Sequence, residues 1–265
     1  MRADATCQAS RLRQHFAYQF SRSLKKPEKN LYTRYLYQIS LREQSKLLEA
    51  AVVDACNLSP GENVIEIGFG KGHGIQLAVE RVAPATSSHL KSSASMFFLK
   101  RYLKSPTVNS DIFKDDGSVY GVEISEYMCR KAMRKLWPYV LANRVELQYG
   151  SVDHLPFVQP LFDACFHVDC FYFWPSLTYS LGKIWKMLHP NGRIVTTFQS
   201  KQLVDFMERG WFQYGNPDPL AYVLALEQCG FDRIEWLKNR IHFNSQEEAY
   251  DCIIAYKPVV QLLTV

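Results

Sequence analysis

The sequence predicts an α/β fold in which a seven-stranded mixed sheet carries helices on both faces and a helical cap at the N-terminus. Short apolar runs alternate with helical patterns over most of the chain, which is typical of a parallel sheet. The first apolar run passes directly into a glycine-rich turn, as a strand that leads into a helix does. The last two strand patterns have only a loop between them, which favours an antiparallel C-terminal strand.

Each element follows from its local pattern. Apolar residues at helical spacing over 31–57 predict one or two cap helices, which end in a turn at 57–61. Short apolar runs predict strands at 63–68, 118–123, 145–149, 162–169, 192–198, 231–237 and 250–256. Helical patterns fall at 72–82, 125–141, 176–188, 201–209 and 217–229.

Composition limits the class of protein. A chain of 265 residues with 47% apolar and 22% charged residues fits one large globular domain. No apolar run approaches the ~20 residues of a membrane-spanning helix, so we expect no span. The seven cysteines are scattered and form no Cys-x-x-Cys pair, which predicts a reducing compartment and neither a disulfide framework nor a metal site.

Charge divides the chain into two parts. Residues 1–49 hold ten Lys and Arg against four Asp and Glu, whereas the remaining residues hold 21 against 22. We therefore divide the chain into a basic arm with cap helices at 1–57 and a ligand-binding domain at 58–265. The nearly neutral body disfavours a nucleic-acid partner, although the arm could touch phosphate. We expect a cytoplasmic protein; the alternative is mitochondrial, because the first 26 residues are rich in Arg and poor in acid.

Residues 84–117 interrupt the pattern. They are rich in Ser, Lys and Thr, and they stand where a doubly wound fold needs only a few residues. We interpret them as an insertion into a surface loop.

The most informative segment is 64–74, in which Glu66 precedes Gly68, Gly70 and Gly72. Glycines at a strand-to-helix turn let the backbone approach a nucleotide-like ligand. The dinucleotide fingerprint has glycine at its first, third and sixth positions. This segment fails it, because the sixth position is His73 when counted from Gly68 and Ile75 when counted from Gly70. A carboxylate that points toward this bend would repel a pyrophosphate and attract a cation. The pattern predicts S-adenosylmethionine, which has a cationic amino group and a sulfonium centre.

At this point the sequence resembles the class I S-adenosylmethionine-dependent methyltransferases, in particular their type 11 small-molecule branch. Further segments at 120–125, 150–157, 162–169 and 188–193 match the family's motifs in order. The resemblance covers the chain from about residue 31, apart from the insertion, and implies a Rossmann-like fold. The interval from Gly72 to Glu123 is longer than the family's usual interval, which places the second strand's ligand contact in question.

The resemblance, together with side-chain chemistry, predicts the remaining cofactor contacts. Glu123 ends the second strand, where its carboxylate can accept hydrogen bonds from both ribose hydroxyls, and Ile124 lies beside it. Val152 and Asp153 look like the family's adenine-contacting turn. Asp169 lies at the end of the fourth strand. Of its two possible roles, we expect contact with the cofactor rather than action as a base.

Methyl transfer is an in-line displacement, so a dedicated base is optional. If the acceptor must lose a proton, His167, Asp169 and His73 are the candidate bases by position, although His167 has the apolar surroundings of a core histidine. Tyr172 begins a run with Phe173 and Trp174 that is expected either to form an aromatic wall at the site or to pack under the next helix.

The predicted function is therefore methyl transfer from S-adenosylmethionine to a small-molecule or lipid-like acceptor, with His167, Asp169 and Tyr172 as catalytic candidates. Two alternatives stay open: a cofactor-binding but inactive scaffold, and a protein or tRNA methyltransferase that uses the basic arm. Arsenite methylation would need several cysteines at the site, and only Cys165 and Cys170 lie near it in the motif order.

Overall fold

The computed structural model describes residues 2–40, 42–84, 117–157, 159–212, 215–241 and 249–259. The strands are β1 (Asn63–Ile67), β2 (Ser118–Glu123), β3 (Val145–Tyr149), β4 (Phe162–Val168), β5 (Leu188–Phe198), β6 (Asp232–Ile241) and β7 (Ala249–Tyr256). The α-helices are α1 (Arg2–Lys25), α2 (Leu31–Arg34), α3 (Arg42–Cys56), α4 (His73–Val82), α5 (Glu126–Leu141), α6 (Leu177–Met187), α7 (Ser200–Glu208) and α8 (Pro219–Gln228). A π-helical turn covers Tyr35–Ser40, and short 3₁₀ turns cover Val152–His154 and Phe171–Phe173.

The seven strands form one mixed sheet in the order β3-β2-β1-β4-β5-β7-β6. Strands β1 to β5 pair in parallel, whereas β7 runs antiparallel to both β5 and β6. The predicted fold class, including the antiparallel C-terminal strand, is confirmed. Strand order reverses between β1 and β4, and the carboxyl ends of strands at such a switch point are where open α/β sheets bind ligands.

Alternation along the strands assigns their side chains to two cores. Val64 belongs to the core on the sheet face that α3, α4 and α5 cover. Ile65 and Ile67 belong to the core on the opposite face, against α6 and α8. Because successive side chains of a strand point to opposite faces, Glu66 lies on the same face as Val64, under α4.

The N-terminal helices close the carboxyl end of the sheet. Leu24, Leu36 and Phe206 form a small third core, and the Phe20 ring stacks on Trp211 with centroids 4.4 Å apart. This packing fixes α1 against the segment after α7. The cap helices predicted within 31–57 are confirmed, while the division into two domains stays a prediction.

The insertion expected at 84–117 lies almost wholly outside the described residues. Its two flanks are adjacent, because a Cβ on Gly117 would collide with the carbonyl of Val82. The described residues on either side of the expected insertion therefore lie side by side, and the insertion itself stays a prediction. In spite of the interval, β2 pairs with β1 in register from Asn63 and Ser118.

Candidate active site

A cavity of about 530 Å³ lies at the carboxyl ends of β1, β2 and β4. Its walls come from the turn after β1, the end of β2, the segment after β4 and the N-terminal cap. The size falls within the ~300–1,000 Å³ of small-molecule and cofactor sites. The cavity therefore occupies the position that the topological switch point predicts.

The three glycines of the turn have different surroundings, although all have positive φ angles, of 77° at Gly68, 51° at Gly70 and 73° at Gly72. Gly68 and Gly70 line the cavity. No described atom lies within 4 Å of a Cβ built on Gly70, whereas a Cβ on Gly72 would lie 2.7 Å from Leu136 Cδ1. Gly70 thus leaves ligand space open, and Gly72 lets α5 approach the turn.

Glu66 lies beneath this turn and does not line the cavity. Its carboxylate accepts a hydrogen bond from the Ile75 N–H of α4, and a Cβ on Gly74 would lie 2.7 Å from its Oε1 atom. Burial, followed by the nearby Glu49, raises the pKa of Glu66 well above its usual value. Its Oε2 atom has no hydrogen-bond partner among the described residues. The structure gives Glu66 a contact with the start of α4 rather than a position on the cavity wall.

Glu123 stands on the cavity wall at the end of β2. Its Oε2 atom accepts the Gly70 N–H at 2.9 Å and its Oε1 atom accepts the Ser125 N–H at 2.7 Å. Burial raises the pKa of Glu123, while these backbone donors oppose the shift. Each carboxylate oxygen keeps acceptor capacity for a ligand hydroxyl. Ile124 also lines the cavity.

The two residues of the predicted adenine turn have different surroundings. Val152 lines the cavity together with Ser151. The Asp153 carboxylate instead accepts a hydrogen bond from the Ser180 hydroxyl of α6, and the Asp153 N–H donates to Ser151 Oγ at 3.4 Å. The turn is thereby fixed to α6 at the position where the family resemblance places the adenine.

Asp169 follows β4 in a left-handed conformation, with φ of 48°, and lines the cavity. The Tyr172 hydroxyl donates a hydrogen bond to its carboxylate. The Oδ1 atom has no hydrogen-bond partner among the described residues. Burial raises the pKa of Asp169 to about 7, against the effect of the Tyr172 hydrogen bond. A buried, unpaired carboxylate oxygen at a cavity is a polar site that a ligand can satisfy.

His167 lies in the core of the sheet and does not line the cavity. Its Nε2 atom lies 2.8 Å from the Tyr222 hydroxyl, and its Nδ1 atom lies 3.0 Å from Thr196 Oγ1. Burial lowers the pKa of His167 to about 3, so the ring is neutral. The structure therefore gives His167 the surroundings of a satisfied core histidine.

Four aromatic residues line one side of the cavity. Tyr172, Phe173 and Trp174 come from the segment after β4, and Phe206 comes from α7. The Tyr172 and Phe173 rings lie 4.7 Å apart in an edge arrangement. The cavity lining agrees with the first of the two arrangements left open by the sequence, an aromatic wall, while the same rings also pack against the core under α6.

A group of charged residues also lines the cavity. Glu49 of α3, Lys46, Lys71 and Lys135 of α5 all line the cavity, as does His73 at the start of α4. Burial raises the pKa of Glu49 to about 8, with Lys135 and Lys71 opposing the shift. Burial and the charge of Lys135 lower the pKa of His73, whose Nδ1 atom lies 3.5 Å from Lys135 Nζ. His73 was a candidate base from the sequence and lies with Lys71 in the glycine segment, whereas Glu49, Lys46 and Lys135 had no sequence signal.

Two absences hold for the part of the chain that the structure describes. No cluster of three or more His, Cys, Asp or Glu side chains there is arranged to hold a metal ion. None of the helices there combines the length and apolar character of a membrane span.

The fold and the cavity together define the class of protein. A sheet of this strand order with an open glycine turn after β1 and a carboxylate at the end of β2 is a Rossmann-like site for a nucleoside cofactor. The cavity volume, the open side of Gly70 and the unpaired Asp169 oxygen fit S-adenosylmethionine, which has hydroxyls for Glu123 and a positive charge for Asp169.

Comparisons with known proteins find likenesses to methyltransferases. A model described as a methyltransferase domain matches residues 108–196. The uncharacterized methyltransferase YdaC of Bacillus subtilis (strain 168) is 21% identical over 216 residues, which are 81% of this chain and 94% of YdaC. The demethylmenaquinone methyltransferase of Symbiobacterium thermophilum is 25% identical over 155 residues, 58% of this chain and 49% of that protein.

A solved structure agrees in fold. The Haemonchus contortus phosphoethanolamine N-methyltransferase 2 in complex with S-adenosyl-L-methionine aligns with a TM-score of 0.56 at 14% identity, over 91% of this chain and 60% of that one. The matched domain, the relatives and the fold together support a class I S-adenosylmethionine-dependent methyltransferase. The same findings support S-adenosylmethionine as the cofactor.

Proposed function

We propose that this enzyme transfers a methyl group to a small apolar or lipid-like acceptor that binds between Asp169 and the aromatic wall. The observation that carries the proposal is the unpaired Oδ1 atom of Asp169 beside aromatic residues of the same segment. S-Adenosylmethionine supplies the electrophilic methyl group when it is bound. The residues of this chain bind and align the two reactants, exclude water and accept a proton.

The cofactor's position follows from the first half of the site. Gly70 leaves room for close backbone approach, and Glu123 offers acceptors for the ribose hydroxyls. We place the adenine at Val152, next to the turn that Asp153 fixes to α6. This orientation directs the other end of the cofactor toward the carboxyl ends of β1 and β4, where Asp169 lies.

The acceptor's chemistry follows from the second half. Phe173, Trp174 and Phe206 offer apolar surface, and Leu24 of α1 adds to it from the cap. An apolar and aromatic wall of this kind favours an apolar molecule beside it. The walls also keep water from the methyl donor, which prevents its hydrolysis.

Asp169 is the polar group that meets the acceptor. The Tyr172 hydroxyl occupies one carboxylate oxygen, so Oδ1 is available for the acceptor's proton or for a positive charge. A base is most effective when its pKa lies near the working pH, and the pKa of about 7 of Asp169 meets this condition. Asp169 therefore accepts the proton of an acceptor hydroxyl or ammonium group, and Tyr172 holds the carboxylate in place.

The names of relatives do not settle the acceptor. One relative is named for demethylmenaquinone and a structural neighbour for phosphoethanolamine, which are chemically different. We therefore base the acceptor class on the lining of this cavity. The quinone-like case agrees with the aromatic wall, whereas a strongly polar acceptor would leave that wall unused.

Isotope labelling tests the proposal. The enzyme is incubated with S-(trideuteriomethyl)adenosylmethionine and with separate organic and aqueous extracts of its source cells, and the products are analysed by mass spectrometry. We expect a labelled product in the organic extract that is lost with Asp169→Asn and retained with Asp205→Asn, whose side chain is exposed on α7. Binding of S-adenosylhomocysteine without any labelled product would instead support an inactive scaffold. Labelling confined to the aqueous extract would contradict the acceptor class.

A further inference from the structure

The apolar stripe of α1 is only half covered. Large apolar residues recur every four positions, at Leu12, Phe16, Phe20 and Leu24. Phe20 stacks on Trp211, and Leu24 is buried in the third core. Leu12 and Phe16 continue the stripe away from the body and are 58% and 48% exposed. The outer half of the stripe therefore presents apolar surface to solvent.

The segment after α1 extends this surface. The Tyr32 ring contacts Phe16, with centroids 6.1 Å apart, and so lies beside the outer half of the stripe. Its neighbour Leu31 is 78% exposed, and Tyr35, in contact with Phe20, is 46% exposed. We call Leu12, Phe16, Leu31 and Tyr35 the cap patch.

Positive charge surrounds the cap patch. Residues 11–35 hold seven Lys and Arg and one acid, Glu28. Six of the seven are exposed: Arg11, Arg13, Arg22, Lys26, Lys29 and Arg34. Arg22 forms an ion pair with Glu28 at 3.6 Å, so the segment keeps a net positive charge. Exposed apolar side chains among basic residues are the features of a helix that lies in the plane of a membrane surface.

We propose that the cap patch docks this protein on the surface of a bilayer that contains anionic phospholipids. Basic residues are attracted to the negative lipid headgroups, and the exposed Leu and Phe side chains enter the boundary with the acyl chains. A nucleic acid would use the positive charge but would leave the aliphatic side chains Leu12 and Leu31 in water. Docking of this kind requires no membrane-spanning helix.

Later residues of the same N-terminal region reach the active site. Leu24, Lys25, Pro27 and Tyr37 line the cavity, so α1 and the residues after it connect the cap patch to the cavity wall. Docking would bring the cavity next to the bilayer, from which a lipid-like acceptor can enter. This second step rests on the proposed function, whereas docking itself does not.

Vesicle sedimentation tests the docking. The full-length chain is mixed with vesicles of phosphatidylcholine alone or of equimolar phosphatidylcholine and phosphatidylglycerol, at low and high salt. We expect binding to the mixed vesicles at low salt to exceed binding to the neutral vesicles by ~10-fold or more, because several basic residues contribute. High salt should reduce this difference.

Two pairs of variants separate the cap patch from surface apolarity in general. Leu12→Gln with Phe16→Gln should lower binding to the mixed vesicles by ~10-fold or more, because both apolar anchors are lost. The control pair is Leu220→Gln with Leu224→Gln on α8, whose side chains are 54% and 48% exposed at the same spacing. The control should bind vesicles as the wild type does. Circular dichroism and S-adenosylhomocysteine binding verify that each variant is folded.

Four results would overturn the docking proposal. One is equal binding to neutral and anionic vesicles, and another is an unchanged affinity in the Leu12 and Phe16 variant. The third is a dimer in light scattering that this variant dissociates, and the fourth is salt-sensitive binding to tRNA without vesicle binding. Since sedimentation requires no turnover, failure of docking leaves the proposed methyl transfer intact, and absence of a labelled product leaves docking intact.

Discussion

The backbone N–H of Gly70 donates a hydrogen bond of 2.9 Å to Oε2 of Glu123. This contact joins the turn after β1 to the end of β2 across 53 residues of sequence, and those residues include the expected insertion. The other oxygen of the same carboxylate accepts the Ser125 N–H. One side chain thus sets the distance between the two walls that we assign to the cofactor.

Glu123→Ala should weaken the binding of S-adenosylhomocysteine by about 1 to 3 kcal/mol, because the ribose hydroxyls lose their acceptors. The unfolding free energy should also fall, since the Gly70 and Ser125 N–H groups lose their partner. Isothermal calorimetry and urea denaturation measure the two effects. Glu126→Ala is the matched control, because that carboxylate is exposed at the first residue of α5. Normal binding by the Glu123 variant would refute the ribose assignment.

Gly70→Ala and Gly72→Ala form a matched pair, because both positions have left-handed backbone and impose a similar strain of ~1–2 kcal/mol on alanine. At Gly70 the new methyl group enters the ligand space, so the affinity for S-adenosylhomocysteine should fall. At Gly72 it meets Leu136 of α5, which should lower the unfolding free energy by a further ~1–3 kcal/mol. Calorimetry with denaturation separates the two, and equal losses of affinity would argue that both glycines face the cofactor.

His167→Phe should act on stability and not on the proton transfer. The substitution leaves the Tyr222 and Thr196 hydroxyls without their buried partner, so the unfolding free energy should fall by about 2 to 4 kcal/mol. Affinity for S-adenosylhomocysteine should stay within twofold of the wild type. A pH–rate profile whose low-pH limb disappears in this variant would restore His167 as a candidate base.

The raised pKa of Asp169 predicts how turnover depends on pH. With the acceptor identified by labelling, kcat/KM should rise through about pH 7 as the Asp169 carboxyl, whose pKa is about 7, loses its proton. Tyr172→Phe should move this midpoint to higher pH, because the lost hydrogen bond stabilised the ionised carboxylate and so lowered the pKa of Asp169. Asp169→Asn should remove the limb. A midpoint unmoved in the Tyr172 variant would separate Asp169 from the titration.

The raised pKa of Glu49 predicts how the unfolding free energy depends on pH. Its pKa is about 8 in the fold against an ordinary value of 4.5, so between these pH values the folded state binds a proton that the unfolded state has lost. The contribution of Glu49 to the unfolding free energy therefore falls as pH rises through this window, by at most about 1.4 kcal/mol per pH unit. Denaturation of Glu49→Gln from pH 5 to pH 8 should show a weaker fall than in the wild type.

The control for Glu49 is Glu227→Gln, an exposed carboxylate on α8. This variant should keep the wild-type dependence on pH. A Glu49→Gln variant with the wild-type slope would show that Glu49 is ionised in the fold across the whole window.

Much of the fold was predictable because its signals are local. The apolar run before Gly68 predicted β1, and the antiparallel β7 followed from a connection without a helix. Glu123 was predictable because it ends a recognisable strand. The start of β5 was less predictable. The strand begins at Leu188, four residues before the predicted start, because its first residues pair with β4 only through an irregular register.

The sequence by itself determined the strands, the glycine turn and the carboxylate at the end of β2, since each depends on residues that are neighbours in the chain. Only the tertiary structure decided that Glu49 and Lys135 share a cavity, that Tyr172 holds Asp169, and that His167 lies in the core. These depend on helix packing and on the face toward which a strand residue points, and both arise when distant segments bury their apolar surfaces together.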